Sequence, residues 1–100
     1  MNVVKSKREI RELLSNFKRI ADYDATGKKY YIVFDDYERE GQWTLMKYDD
    51  GSYTIHGKGN TYCDKEEKVV STEALQKLLW ENRKAVNKVI REVNEKALTV

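Results

Sequence analysis

From Ile10 onward the apolar residues recur at helical spacing. Ile10, Leu13, Leu14, Phe17, Ile20 and Ala21 fall on one face. Ser6-Lys7-Arg8-Glu9, just upstream, reads as a capping box: the Ser6 side chain covers an orphan N–H and Glu9 reaches back to the cap. The spacing predicts a helix about 24 Å long, ending near Asp22, with Asp24 to Gly27 turning the chain. At Lys29 the period changes to two. Lys29 to Asp35 is β-branched and aromatic, with Tyr30, Ile32 and Phe34 alternating against Tyr31 and Val33, both sets apolar. A strand of that kind is central or has both faces covered.

Two more strands, Gln42 to Tyr48 and Ser52 to Gly57, flank Asp49-Asp50-Gly51, a hairpin signal. Two registers fit. A two-residue loop pairs Tyr48 with Tyr53 and Met46 with Ile55. A three-residue loop with Gly51 in the left-handed region pairs Leu45 with Ile55 and puts Trp43, Leu45, Tyr53 and Ile55 on one face. The second buries Trp43 and is preferred. Gly57 to Glu67 reads as a polar loop with room for a short strand, Lys68-Val69-Val70 as a brief final strand, and Ser71 or Thr72 as the cap of the last helix. There Leu75, Leu79, Asn82, Val86, Val89 and Val93 follow 4,3,4,3,4 spacing, flanked by Leu78, Ala85 and Ile90. Unbroken from Thr72 to Ala97, this helix would run about 39 Å; it either breaks near Asn82-Arg83 or overhangs the domain. The expected architecture is a single α+β domain over residues 1–100: a helix, a three- to four-stranded antiparallel β-meander and a long C-terminal helix (αβββα).

Composition narrows the function. One hundred residues without repeats or linkers suit one domain, with a small core and little room for a catalytic cleft. The longest apolar run, Tyr30 to Phe34, is far short of the roughly 20 residues of a membrane helix, and the first residues lack the pattern of a signal peptide. The single cysteine, Cys63, permits no intramolecular disulfide. The expected setting is the cytoplasm. The formal net charge of +2 hides an uneven distribution. Residues 1–30 hold eight cations and four anions, residues 31–70 five and nine, and residues 71–100 six and four, so a bipolar surface is expected.

Catalytic chemistry has little support. His56 and Cys63, with Asp64 adjacent, are a conceivable nucleophile pair, but nothing places them together, and a strand His with a loop Cys accounts for both. Two Cys/His ligands are too few for structural zinc. Asp35-Asp36 and Asp49-Asp50 offer oxygen ligands, yet both pairs fall in turns, where aspartate is ordinary. Gly57-Lys58-Gly59-Asn60-Thr61 lacks the spacing and following helix of a phosphate loop. No enzyme activity, metal, cofactor or small-molecule substrate is expected.

Binding surfaces are better marked. At about 100° per residue, Lys7, Arg8, Arg11, Lys18 and Arg19 cluster on one flank of the first helix, with Lys28 and Lys29 near in sequence. With Lys58 at a loop tip, they suit nucleic-acid phosphates, and exposed sheet aromatics would supply stacking platforms. An acidic set, Asp35, Asp36, Glu38, Glu40, Asp49 and Asp50, suits a basic protein surface. Val86, Val89, Ile90 and Val93 form an apolar stripe beyond the reach of a three-stranded sheet, fit for a dimer or partner helix unless the first helix closes over it.

The element order is similar to that of the double-stranded-RNA-binding domain, but Asp64-Lys65-Glu66-Glu67-Lys68 and Glu73 stand where that family carries phosphate-binding lysines. Through Tyr30-Tyr31-Ile32-Val33-Phe34, Trp43 to Tyr48 and Tyr53 to His56, a Tyr-rich meander between two helices, the chain also resembles small phage-encoded inhibitors of the anti-CRISPR type. That resemblance implies a non-catalytic accessory or inhibitor protein of a phage or mobile element. It would bind a macromolecular partner through the acidic hairpin loops and the C-terminal helix. The alternative expectation is a nucleic-acid-binding module using the cations of the first helix and the sheet aromatics.

Overall fold

The computed structural model describes residues 2–37, 41–57 and 67–98. The helices are α1 (Lys7–Ser15), α2 (Phe17–Ile20), α3 (Thr72–Glu81) and α4 (Arg83–Leu98). The strands are β1 (Asp22–Asp24), β2 (Lys29–Asp35), β3 (Gln42–Tyr48), β4 (Tyr53–His56) and β5 (Glu67–Val70). The strands form one antiparallel sheet in the order β1-β2-β3-β4-β5. The class is α+β, with five strands where three or four were expected. The additional one is β1, whose residues the sequence pattern gives to the end of the first helix and its turn. It forms because Asp22, Tyr23 and Asp24 pair with Tyr31, Tyr30 and Lys29, which covers the edge of β2 and makes it central.

The hairpin takes the three-residue loop. Leu45 opposes Ile55 and Lys47 opposes Tyr53, and Gly51 has φ 89°, the left-handed conformation that glycine adopts without a Cβ penalty. Trp43, Leu45, Ile32 and Phe34 therefore face one way. They share a core with Ile10, Leu13, Phe17, Leu75, Leu79, Val86 and Ile90 from the four helices. All the helices pack on that face of the sheet. On the other face Met46 and Thr54 are buried while Val33 is 40 % and Val69 81 % exposed.

Both long helical stretches break at an asparagine. Asn16 (φ −112°, ψ 19°) separates α1 from α2, and Asn82 (φ −108°, ψ 26°) separates α3 from α4. In each case the side-chain amide donates to the carbonyl four residues back, Asn16 to Glu12 and Asn82 to Leu78, both at 2.8 Å. This is the local competition with helix geometry that disfavours Asn in helix interiors. The first helix is thus split into α1 and α2, and α2 ends at Ile20, two residues from the expected end near Asp22. Its capping box is also altered. Ser6 makes no side-chain cap bond; its hydroxyl instead donates to Glu9, whose carboxylate also accepts from the Lys5 N–H at 3.2 Å. Ser71 does cap α3, accepting from Ala74 N–H at 3.1 Å.

Candidate nucleic-acid interface

The inward face of α1 and α2 is apolar, so every charge on them is turned outward. Lys7, Arg8, Arg11, Lys18 and Arg19 are all exposed. Arg8 pairs with Glu12 at 3.4 Å, and Lys18 Nζ lies 5.3 Å from the Tyr30 ring centre. Lys7, Arg11 and Arg19 form no ion pair among the described residues. Lys58, the remaining cation of the expected set, lies outside the described residues.

The fold adds cations from the far end of the chain. The segment before α1 lies against α4, where one side chain binds both backbone polar groups of a single residue. Asn87 Oδ1 accepts from the Val4 N–H at 2.6 Å, and Asn87 Nδ2 donates to the Val4 carbonyl at 3.1 Å. Val4 itself is buried. A groove of about 470 Å³ along this strap is lined by Asn2, Val3, Lys5, Arg8, Glu9 and Glu12. Another, of about 420 Å³, runs from Val4 past Asn87 to Arg83, Lys84 and Arg91. Arg83 is steadied over Trp80, 4.5 Å from its ring centre, and donates to the Trp80 carbonyl at 3.1 Å. Lys84 stands over Tyr37 at 4.7 Å. These three cations escaped the sequence reading because nothing in their spacing relates them to the first helix.

Charge consequently sorts by layer. The helices and strap, residues 2–20 and 72–98, carry twelve Lys/Arg against six Asp/Glu. The described strands and turns, residues 22–37, 41–57 and 67–70, carry four against seven.

The acidic set does not assemble into one surface. Asp35 ends β2 and Asp36 follows it, whereas Asp49 and Asp50 lie in the turn at the opposite end of the sheet, about 20 Å away along a seven-residue strand. Asp35 pairs with Lys88, whose ammonium is pushed above the usual lysine range by that hydrogen bond and charge. Asp36 is only 8 % exposed. Asp50 is engaged locally, accepting from the Ser52 hydroxyl at 2.6 Å and N–H at 2.9 Å, which hold its carboxyl below the usual range. Asp49 is exposed. Glu38 and Glu40 lie outside the described residues.

The apolar stripe of the last helix is likewise not open along its length. Val86 and Ile90 are fully buried in the core, and Val89 and Val93 are half-buried. After the break at Asn82, α4 packs over β2 with its apolar side inward, so the buried Val86 and Ile90 cannot form a dimer seam. His56 ends β4, half-buried, and Cys63 lies outside the described residues. No group of three or more His, Cys, Asp or Glu among the described residues is placed to hold a metal ion. No described helix is long and apolar enough to cross a membrane.

A second feature escaped the sequence reading. At the end of the sheet nearest the Asp49–Gly51 turn, register places Tyr23, Tyr30, Lys47 and Tyr53 side by side across β1 to β4, on the helix side. Tyr23 packs on Tyr30 with ring centres 4.7 Å apart, and Phe17 meets Tyr53 edge-on at 5.9 Å. Lys47 Nζ lies 5.4 Å from the Tyr53 ring centre. On the opposite face Lys29 stands 5.8 Å over Tyr48, whose hydroxyl donates to Glu67 at 2.7 Å; that bond, then burial, pushes the Tyr48 pKa up. Period-two alternation gave each strand's two faces, but the row needs the pairing of β1, which sequence did not reveal. Comparison with protein-family models, with curated proteins and with solved structures finds no match for this chain.

Proposed function

We propose that this chain is a non-catalytic nucleic-acid-binding module that meets the phosphate backbone with its helix layer. The observation that carries this reading is the sorting of charge by layer, twelve cations against six anions on the helices and strap, with Lys7, Arg11 and Arg19 exposed and unpaired among the described residues. Phosphate contacts of this kind release counterions, so affinity falls with salt in proportion to their number. The test is a binding isotherm at several salt concentrations for the parent and for a triple Lys7→Ala, Arg11→Ala, Arg19→Ala variant. The expected result is a large loss of affinity and a log–log salt slope shallower by roughly 2–3 units. An unchanged slope refutes the reading.

A protein partner, as for an inhibitor-type accessory protein, is the second reading. It draws support from the sheet face that no described helix covers, with Val33 and Val69 exposed, and from the exposed Tyr37 at the end of β2. A single dominant protein retained in a pull-down after nuclease treatment, together with no measurable oligonucleotide binding, selects it over the first.

A further inference from the structure

The row of Tyr23, Tyr30, Lys47 and Tyr53 has the parts of a base-stacking site. Tyr23 is the outermost ring, 51 % exposed, and it is held in place by Tyr30 behind it in a tilted arrangement with 40° between the ring planes. Because that contact already orders the ring, a ligand that stacks on it has little side-chain freedom left to freeze. Lysines occupy the inner part of the row: Lys18 over Tyr30 and Lys47 over Tyr53. At the Tyr23 hydroxyl itself carboxylates dominate, although Lys28 and Lys29 stand in the adjoining turn, Lys28 next to Asp49 and Lys29 acting on Asp24. After desolvation, the Asp49 charge is the largest cause raising the Tyr23 hydroxyl pKa, with Asp24 a smaller one. This polarity orients an anionic polymer. Phosphates are drawn to Lys18 and Lys47 and repelled from the Asp24–Asp49 side, which leaves the Tyr23 ring for an uncharged, flat group.

We infer that this rim takes a single-stranded nucleic acid, one base lying on Tyr23 and the neighbouring phosphates on Lys18 and Lys47. The inference rests on the nucleic-acid reading above and adds to it the form of the ligand. A duplex keeps its bases stacked inside, so the ring has nothing to meet, whereas every unpaired base offers a flat face.

The test is fluorescence anisotropy of a labelled single strand of about 12 nucleotides and of the duplex of the same sequence. Parent protein, Tyr23→Ala, Tyr23→Phe and Lys47→Gln are compared, each checked for folding by far-UV circular dichroism. Tyr23→Ala is expected to weaken single-strand binding about 5- to 150-fold, the range for one lost base–aromatic stack, and to leave duplex binding unchanged. Tyr23→Phe is expected to bind as the parent does. Lys47→Gln is expected to make the single-strand salt slope shallower by about 0.7, a readout that does not depend on how well Tyr23→Ala folds. Single-strand affinity of Tyr23→Ala within twofold of the parent, or an equal loss on the duplex, overturns the inference. If the parent binds neither form, the charge-layer reading falls with it. If the triple α1 variant loses binding while Tyr23→Ala and Lys47→Gln do not, only the stacking site falls.

Discussion

Replacing Asn87 by alanine tests the strap that joins the two ends of the helix layer. The change deletes both bonds to Val4, at 2.6 and 3.1 Å, and no other side chain among the described residues provides the pair. Were the strap to stay in place, two backbone groups would be left without partners at a part-buried position, each costing about 1–3 kcal/mol. The strap has an easier course, which is to detach. Detachment exposes Val4, worth about 1.5–3 kcal/mol when fully buried. It also returns about 1–2 kcal/mol of backbone entropy for each residue freed, so the burial alone barely holds the segment. The cost of Asn87→Ala is therefore capped near the net worth of the two hydrogen bonds, about 1–3 kcal/mol, or a melting temperature lower by roughly 4–8 °C per kcal/mol. Urea unfolding gives the magnitude, and hydrogen exchange at the Val4 amide shows whether the strap has left. Val4→Ala should release the same segment, so the double variant should cost hardly more than either single one. Asn87→Asp makes a sharper comparison. Its carboxylate still accepts from the Val4 N–H but faces the Val4 carbonyl with no proton to donate; protonation restores the donor, so this variant should regain stability relative to the parent as pH falls through its pKa. A cost for Asn87→Ala below about 0.5 kcal/mol, with Val4 amide protection unchanged, would refute the reasoning.

Gly51→Ala places a Cβ where nothing lies within 4 Å, so only the left-handed backbone (φ 89°) resists it. The expected loss is about 1–2 kcal/mol by urea unfolding, and a loss above about 3 would reveal a contact missing from this account. Leu79→Ala, at a fully buried position facing the sheet, should cost about 2–5 kcal/mol, whereas Val69→Thr, 81 % exposed on β5, should stay within about 0.5 kcal/mol. Glu9, Asp24 and Asp50 each have a carboxyl held below the usual range, first by hydrogen bonds from Ser6, Thr26 and Ser52 respectively. Since the folded values are the depressed ones, their stabilisation is complete above the unfolded values, near pH 4, and is lost as pH falls through the folded values. Ser52→Ala should return the Asp50 carboxyl toward the ordinary range in a carbon-detected NMR titration, and an unmoved midpoint would disprove the cause.

Pattern carried the fold a long way and the surface much less far. The 3.6-residue period of Ile10, Leu13, Leu14 and Phe17, the period of two from Lys29 to Asp35, and a glycine free to adopt positive φ at position 51 placed the first helix, the central strand and the hairpin register, because each is a local rule about burial or backbone. The extra strand was illegible for the opposite reason. In Asp22-Tyr23-Asp24 only Tyr23 favours a strand, and the two aspartates mask it; the segment pairs with the edge that β2 presents. Asn82 is legible as a break because it interrupts an apolar stripe, whereas Asn16 lies off the apolar face and carries no such mark, although both side chains bond the carbonyl four residues back. Surface sets are less legible because residue type does not give position: six carboxylates look alike in sequence, yet the sheet separates Asp35 from Asp49, Lys88 pairs with Asp35, and a local turn holds Asp50. Whether the stripe Val86–Ile90 is open depends on how α4 packs after the break at Asn82, which periodicity does not give; a three-stranded sheet is too narrow to cover it, and the five-stranded one with its helices is not.

The order β1-β2-β3-β4-β5 has a kinetic consequence. Every strand bonds only to its neighbour in sequence, so the sheet can zip from any hairpin by closing short loops, each at low entropic cost. The helices arrive from both sides of the meander in sequence, and the Val4–Asn87 contact, separated by 83 residues, closes the longest loop. It should form after the rate-limiting step. Destabilisation at Leu45 or Ile55, within the tight hairpin, should then slow refolding, while destabilisation at Asn87 should leave refolding unchanged and quicken unfolding. The resulting chevrons would differ in opposite arms. On this reasoning the strap that joins the two ends of the helix layer is the last part of the fold to close.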